Sequence, residues 1–225
     1  GGLTSPAGQY NFLQGGNPSL APESGDTQTI GVVLTPTFID NFSLTVDWFE
    51  ISIDAYIATT GGANIVNACF IGGDLGQCAR ITRNPGTGQM WLGAGVVEDL
   101  NKNLTNLQTK GIDVNAQYRF ELDDLGLDGA GGMRLEMVGT WLDELMVNEG
   151  TPTVAPFDCA GHHGGRCNAT VSPVNPEWRH RARATWQTPW DADLTLTWRH
   201  FGEVTRDSGA PAELGAPGAG AKERT

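Results

Sequence analysis

The chain has 225 residues, of which 39% are hydrophobic, and its 31 glycines and 12 prolines indicate many turns. Its formal net charge of −12 argues against a nucleic-acid partner, because a phosphate-binding surface needs a basic patch. No run of about 20 apolar residues is present, which excludes a transmembrane helix but not transmembrane β-strands, since these are short and apolar on one face only.

Alternating apolar and polar side chains predict a series of two-faced β-strands. In chain order the alternating segments are 29–34, 43–48, 111–120, 133–141, 178–186 and 193–199. Segment 111–120 shows the pattern most clearly, because charged or amide side chains stand between all its apolar ones. We predict that one face meets lipid, through Ile112, Val114, Ala116 and Tyr118, and that the other faces a wet interior, through Asp113, Asn115, Gln117 and Arg119.

The apolar alternation changes phase directly after Trp48. Phe49, Ile51 and Ile53 carry the apolar side chains in the next stretch, whereas Leu44, Val46 and Trp48 carry them before it. This pattern predicts either a β-bulge or a stretch of strand that has left the oily layer. The sequence leaves both alternatives open.

The predicted connections alternate between short and long. Links 35–41, 121–132 and 187–193 resemble hairpin turns, while links 54–88 and 143–175 are long and rich in Gly, Pro, Asn and Cys. Aromatic residues lie near both ends of the strands, by the short turns (Phe42, Tyr118, Phe120, Trp186, Trp190) and toward the long links (Trp48, Trp141, Trp178, Trp198). These features predict an all-β, antiparallel transmembrane β-barrel with short periplasmic turns and long extracellular loops.

A soluble antiparallel sandwich is the alternative fold, because its strands also alternate. Three features of the sequence favour the barrel. Charged residues occupy whole faces of successive strands, link lengths alternate by side, and no segments predict a second hydrophobic sheet that would cover the first.

Each long link contains two cysteines. Cys69 and Cys78 lie in the first link, Cys159 and Cys167 in the second, and we predict one disulfide within each link on the extracellular rim. The alternative is a metal site formed by Cys159 and Cys167 with His162 and His163. Its spacing matches no standard zinc pattern, and we expect neither a metal nor any other cofactor.

Four segments resemble one protein family. They are "GGNPSLAPESGDTQTIGVV" (15–33), "SLTVDWFEISI" (43–53), "NLTNLQTKGIDVNAQYRF" (103–120) and "PEWRHRARATWQTPWDADLTLTWRHFG" (176–202). In this order they are similar to barrel segments of TonB-dependent outer-membrane receptors. The resemblance implies a 22-stranded barrel of the Gram-negative outer membrane, closed by a plug domain and driven by the TonB complex.

Such receptors import scarce ligands such as ferric siderophores, cobalamin or oligosaccharides. The resemblance implies that residues 1–225, with about seven strands, form an internal part of the later half of the barrel. We expect the plug domain, the TonB-contacting box and the terminal strands to lie outside this chain. Its expected partners are outer-membrane lipid, the plug, the TonB complex and an imported small molecule.

No enzyme motif is present. The sequence contains no Gly-x-Ser-x-Gly, His-Glu-x-x-His or phosphate-binding Gly-rich motif, so we predict no catalytic role. One polar cluster invites a ligand hypothesis, the arginine row of the strand at 178–186. Candidate lumen-facing contacts to a ligand or to the plug are Arg179, Arg181, Arg183, Asp113 and Arg119.

The arginine row has two interpretations. It either attracts anionic cargo or pairs with acidic groups on adjacent strands and on the plug, and we prefer pairing. For the whole protein, the alternative to a receptor is a passive barrel, or a disulfide-stapled surface β-domain with a structural or adhesive role.

Overall fold

The computed structural model of the chain describes residues 10–104, 106–148, 155–164, 167 and 174–207. Its main element is an antiparallel sheet with six long strands: β2 (Ser24–Leu34), β3 (Phe42–Asp54), β8 (Asn106–Glu121), β9 (Gly132–Asn148), β13 (Trp178–Gln187) and β14 (Asp193–Phe201). They lie in the order β14-β13-β9-β8-β3-β2, so each long strand pairs with the long strands before and after it in the chain. The all-β, antiparallel prediction is confirmed. The described sheet is open, with β2 and β14 at its edges.

The connections follow the predicted alternation, with corrected bounds. Residues 35–41, 122–131 and 188–192 form the short connections, and the second of these contains a 3₁₀ helix (Leu122–Leu125). The long links span 55–105 and 149–177, so the predicted bounds 54–88 and 143–175 were wrong. The second link begins later than expected because β9 continues past Asp143, which bulges out of the pairing with β8.

Shorter elements lie outside the long strands. The helices are α1 (Gly62–Phe70) and α2 (Leu75–Cys78). The remaining strands are β1 (Phe12–Leu13), β4 (Ile57–Ala58), β5 (Ile81–Thr82), β6 (Val96–Glu98), β7 (Lys102–Asn103), β10 (Phe157–Asp158), β11 (His162–His163), β12 (Val174–Asn175) and β15 (Thr205–Arg206). Of these, β10 pairs with β9 as the seventh strand of the main sheet. No helix in the described part of the chain is long and apolar enough to cross a membrane.

The strand register separates the two sets of side chains that alternation predicts. Residues directly opposite each other on neighbouring strands share a face of the sheet and form a row across it. One such row carries no charged side chain on the long strands β2, β3, β8 and β9; it consists of Val32, Val46, Val114 and Gly139. We name this side of the sheet the apolar face; its further members include Ile30, Leu44, Trp48, Ile112, Ala116, Tyr118, Met137, Trp141, Ala182, Ala184, Leu196 and Trp198.

The opposite side is the polar face. It carries Asp47, Asp113, Asn115, Gln117, Arg119, Arg134, Glu136, Thr140, Arg179, Arg181, Arg183 and Arg199. The alternation of residues 112–119 between two faces is therefore as predicted. The apolar face has no covering layer within the described residues, since Ile30, Leu196 and Trp198 are 71%, 73% and 60% exposed. A two-sheet sandwich would bury these side chains, so the described structure disfavours that alternative.

The two faces exchange polarity at one level of the sheet. Beyond the row of Trp48 and Ile112, the former apolar face carries charged side chains, and Lys110 pairs with Glu144 at 2.9 Å. On the other side, Ile53 and Leu107 now form apolar rows with Val147. The pairing of β3 is continuous on both sides, so the phase change after Trp48 is not a bulge in that strand. The phase change marks the level at which the apolar side chains on this face of the sheet end and charged side chains begin.

The buried core lies in the long links and not between layers of the main sheet. Ile65, Val97 and Leu104 are almost fully buried there. A second cluster joins the second link to the sheet, with Val147, Cys159 and Cys167 at its centre and Leu107, Leu145 and Phe157 packed against it. The described parts of the links are therefore folded units at one end of the strands.

Candidate functional site

An apolar band crosses the sheet between two aromatic edges. Along β8 it runs from Ile112 to Phe120, five rows with a length of about 26 Å at about 3.3 Å per residue. A strand tilt of about 40° reduces this length to a height of about 20 Å, close to the apolar band of about 25 Å in transmembrane barrels. The band therefore has about the height required for a bilayer core.

Aromatic side chains mark the two edges of this band. Trp48, Ile112, Trp141 and Trp178 form one edge row. At the other edge, the Tyr118 and Phe120 rings stack with 5.0 Å between their centroids, and the indole N–H of Trp186 donates to the carbonyl of Ala130 at 2.8 Å. Trp198 is an exception to the sequence prediction, because its register with Ala182 places it in the central row and not at an edge.

A histidine pair interrupts the apolar band near the tryptophan edge. The indole N–H of Trp178 donates to Nδ1 of His180 at 2.8 Å, so a neutral His180 carries its proton on Nε2. The His180 ring also contacts the rings of Trp198 and His200, with centroids 4.7 and 5.2 Å away. Gly139 makes room for this cluster, since a Cβ there would lie 2.7 Å from the Trp178 ring.

The register divides the predicted arginine row on the polar face. Arg183 lies directly opposite Glu136, so an acidic neighbour is present there. Arg181 lies between Val138 and Arg199, and Arg179 lies between Thr140 and Phe201. Among the described residues, Arg183 therefore has a directly opposite acidic partner on an adjacent strand, and Glu136 is also the diagonal neighbour of Arg181.

The two other candidate residues, Asp113 and Arg119, lie on β8 and not on the strand that carries the arginine row. Asp113 accepts a hydrogen bond from the Thr140 hydroxyl at 2.7 Å and lies opposite Asp47. Two strand spacings of about 4.8 Å separate its strand from that of Arg179. Arg119 lies opposite Arg134, three rows toward the short turns. All five predicted residues have exposed side chains on the polar face.

Arg199 lies beside the arginine row, although the sequence analysis did not single it out. Its signal was present, because it is a polar residue of the alternating segment 193–199. Only the register shows that it faces Arg181 across the β13–β14 hairpin. The arginines of this region therefore come from two strands, β13 and β14.

Both predicted disulfides are present in the long links. Cys69 bonds to Cys78 with a Cα separation of 4.8 Å, and Cys159 bonds to Cys167 with a separation of 5.7 Å. The first disulfide joins α1 to α2, and α2 begins where the Asp74 carboxylate accepts the backbone N–H of Gly76 at 2.9 Å. Residues 62–78 of the first link are thus held as a compact helical unit.

A buried carboxylate organises the same link. Asp99 is fully buried and accepts the backbone N–H groups of Thr60 at 3.0 Å and Gly61 at 3.2 Å. Arg80 lies 3.5 Å away and neutralises its charge. Near the start of the link, burial and then the charge of Glu23 raise the pKa of Tyr56, so both disfavour ionisation of its phenol.

A family model described as "TonB dependent receptor-like, beta-barrel" matches residues 2–219. The chain belongs to this family. A search of curated proteins found no match. Members of the TonB-dependent receptor family are transporters of the Gram-negative outer membrane and not enzymes. Within the described residues, no group of three or more His, Cys, Asp or Glu side chains is placed to hold a metal ion.

Proposed function

We propose that this chain forms part of the barrel wall of an outer-membrane receptor that imports a scarce ligand with energy from the TonB complex. The two-faced sheet is the observation that carries the proposal. Its apolar face suits lipid, because uncharged side chains fill a band of bilayer height between two aromatic edges. Its polar face, which carries arginine and carboxylate side chains, suits a wet lumen through which a ligand passes.

The change of polarity beyond Trp48 supports the same function. A strand that leaves the bilayer meets water on its outer side, which fits the Lys110–Glu144 ion pair at that level. The long links join the strands at this end, and both disulfides lie within them. We therefore assign this end to the extracellular side, where the links contact the ligand and where disulfides persist.

The experiment uses the full-length gene in a bacterium with and without working TonB. The measurement is uptake of candidate ligands, beginning with ferric siderophores and oligosaccharides, together with growth that depends on them. We expect uptake to require both the receptor and TonB. Uptake that is unchanged after deletion of TonB would contradict the energised receptor and favour a passive barrel.

A disulfide-stapled surface domain is the second candidate function. The helical unit closed by Cys69 and Cys78 favours it, because three large apolar side chains are exposed there: Phe70, Ile71 and Leu75. Such a patch fits adhesion to another surface. Deletion of residues 62–78 separates the candidates, since adhesion requires this unit, whereas assembly of the barrel does not.

A further inference from the structure

We infer that His180 on the apolar face anchors one membrane lipid: a carbonyl that links an acyl chain to the headgroup accepts its imidazole N–H, and the chain lies in a neighbouring groove. The inference rests on the proposed function, because it requires the apolar face to meet lipid. It goes further, since it distinguishes one bound lipid from the fluid lipid around a barrel. The site is on the outer side of the proposed wall, away from the lumen and the plug.

His180 carries a hydrogen-bond donor on its outer ring nitrogen. The indole N–H of Trp178 donates to Nδ1 of His180 at 2.8 Å. A protonated imidazole has a hydrogen on both nitrogens and cannot accept this bond, so the ring is neutral with its proton on Nε2. The Nε2–H group therefore needs an acceptor of its own.

The protein neighbours of His180 on this face offer no oxygen acceptor. Its register partners are Gly139 and His200, so the strands on both sides of β13 are described. The other neighbours, along β13 and diagonal to it, are Trp178, Ala182, Met137, Trp141 and Trp198. None of these side chains contains oxygen, and in the described part of the chain Nε2 has no hydrogen-bond partner.

The depth of His180 indicates which lipid group supplies the acceptor. Trp178 belongs to the tryptophan edge, and His180 lies two residues further into the band along β13. This distance is about 7 Å of strand, or about 5 Å of height at a tilt of about 40°. A polar group without a partner is costly at this depth, where water is scarce. The carbonyls that link acyl chains to headgroups lie at this boundary, whereas phosphate groups lie further out.

A groove for the acyl chain begins one row further into the band. Its volume is about 360 Å³, and Trp198 connects it to His180, because the two rings meet edge to face with centroids 4.7 Å apart. Three short side chains and three large ones are among those that line it: Ala116, Ala182 and Ala184, with Tyr118, Leu135 and Trp198. The short side chains leave room for methylene groups. One lipid can therefore contact the donor and the groove together.

A second copy of the chain fits this site less well than a lipid. In a two-fold dimer whose axis lies along the membrane normal, the partner presents the same rows of side chains at the same height. The row at the height of His180 contains Val32, Val46, Val114, Gly139 and His200. Such a partner brings hydrocarbon but no oxygen to the Nε2–H group, whereas a lipid brings both an acceptor and a chain.

The test measures lipid binding to the purified full-length receptor in a neutral detergent by native mass spectrometry. The probe is a diacyl phosphatidylglycerol with ester-linked chains, and its dialkyl ether analogue lacks the carbonyls. We expect the first ester lipid to bind at least about threefold more tightly than the ether analogue. His180→Phe keeps an aromatic ring and removes the donor, so both probes should then bind with the weaker affinity. Val46→Ala, the matched control in the same row, should change neither affinity by more than about twofold.

Two binding results would overturn the inference: equal affinities for the ester and ether probes, or equal effects of His180→Phe and Val46→Ala. A dimer that becomes a monomer in His180→Phe would also overturn it, because a second copy then occupies the site. If His180→Phe does not assemble, Ala182→Leu fills the groove and leaves the histidine, and unchanged affinities in that variant refute the site.

Uptake with and without TonB is measured separately on the unaltered receptor. Uptake that needs TonB, together with lipid binding that is indifferent to His180→Phe, refutes the lipid site and leaves the receptor. Uptake without TonB dependence, together with the expected lipid binding, refutes the energised receptor and leaves a lipid site on a passive barrel.

Discussion

Replacement of Ala116 by arginine tests which face of the sheet meets lipid. Ala116 lies in the central row of the apolar band, two rows from Ile112 and two rows from Phe120. An arginine on the lipid face costs about 2–4 kcal/mol at the bilayer midplane and about 0–1 kcal/mol near the interfaces. Overpacking does not obscure the result, because Ala116 lines a groove of about 360 Å³. We therefore expect Ala116→Arg to destabilise the receptor by about 3 kcal/mol.

The assay is guanidinium-induced unfolding of the full-length receptor in phospholipid vesicles, with assembly checked by heat-dependent migration on gels. Asn115→Arg is the matched control, since the neighbouring side chain lies on the polar face of the same strand. It should cost less than about 1 kcal/mol. Val114→Arg lies one row closer to the tryptophan edge and should give an intermediate loss. Equal losses in Ala116→Arg and Asn115→Arg would refute the assignment of faces.

Three further predictions concern the links and the histidine cluster. Replacement of Cys69 and Cys78 by serine should remove about 2–3 kcal/mol of local stability, seen as faster proteolysis of the first long link on intact cells, with an unchanged unfolding midpoint of the barrel. Asp99→Asn should expose the same link to protease, because Asn cannot neutralise the buried charge of its arginine partner, at a cost of about 3 kcal/mol. Gly139→Val should lower the free energy of unfolding of the whole receptor by about 1–3 kcal/mol, because its Cβ meets the Trp178 ring; an unchanged free energy of unfolding would contradict this packing.

The faces of the strands could be predicted from the sequence because alternation is a local property. Ile112 and Asp113 must point to opposite sides of any strand, whatever pairs with it. The disulfides were predictable for a similar reason, since each pair lies within one link.

Features that depend on pairing between strands could not be predicted in this way. The phase change after Trp48 had two explanations, and the choice between them depends on the register of β3 with β2 and β8, together with the bulge at Asp143 on another strand. The arginine row has the same limit. The sequence shows Arg179, Arg181 and Arg183 as equals, whereas the register gives Arg183 an acidic neighbour and Arg181 a second arginine.

The continuation of the sheet past the tryptophan edge keeps the long links away from the lipid. Strand β8 extends six residues beyond Ile112, to Asn106, which is about 20 Å of strand at 3.3 Å per residue and about 15 Å of height at a tilt of about 40°. Lipid headgroups reach only about 5–8 Å beyond the hydrocarbon core. In the proposed placement of the sheet in the membrane, the described parts of the links therefore lie beyond the headgroups. If this end is extracellular, as proposed, antibodies or phage that recognise the links should reach them without contacting the bilayer, and peptide tags inserted there should remain accessible on living cells.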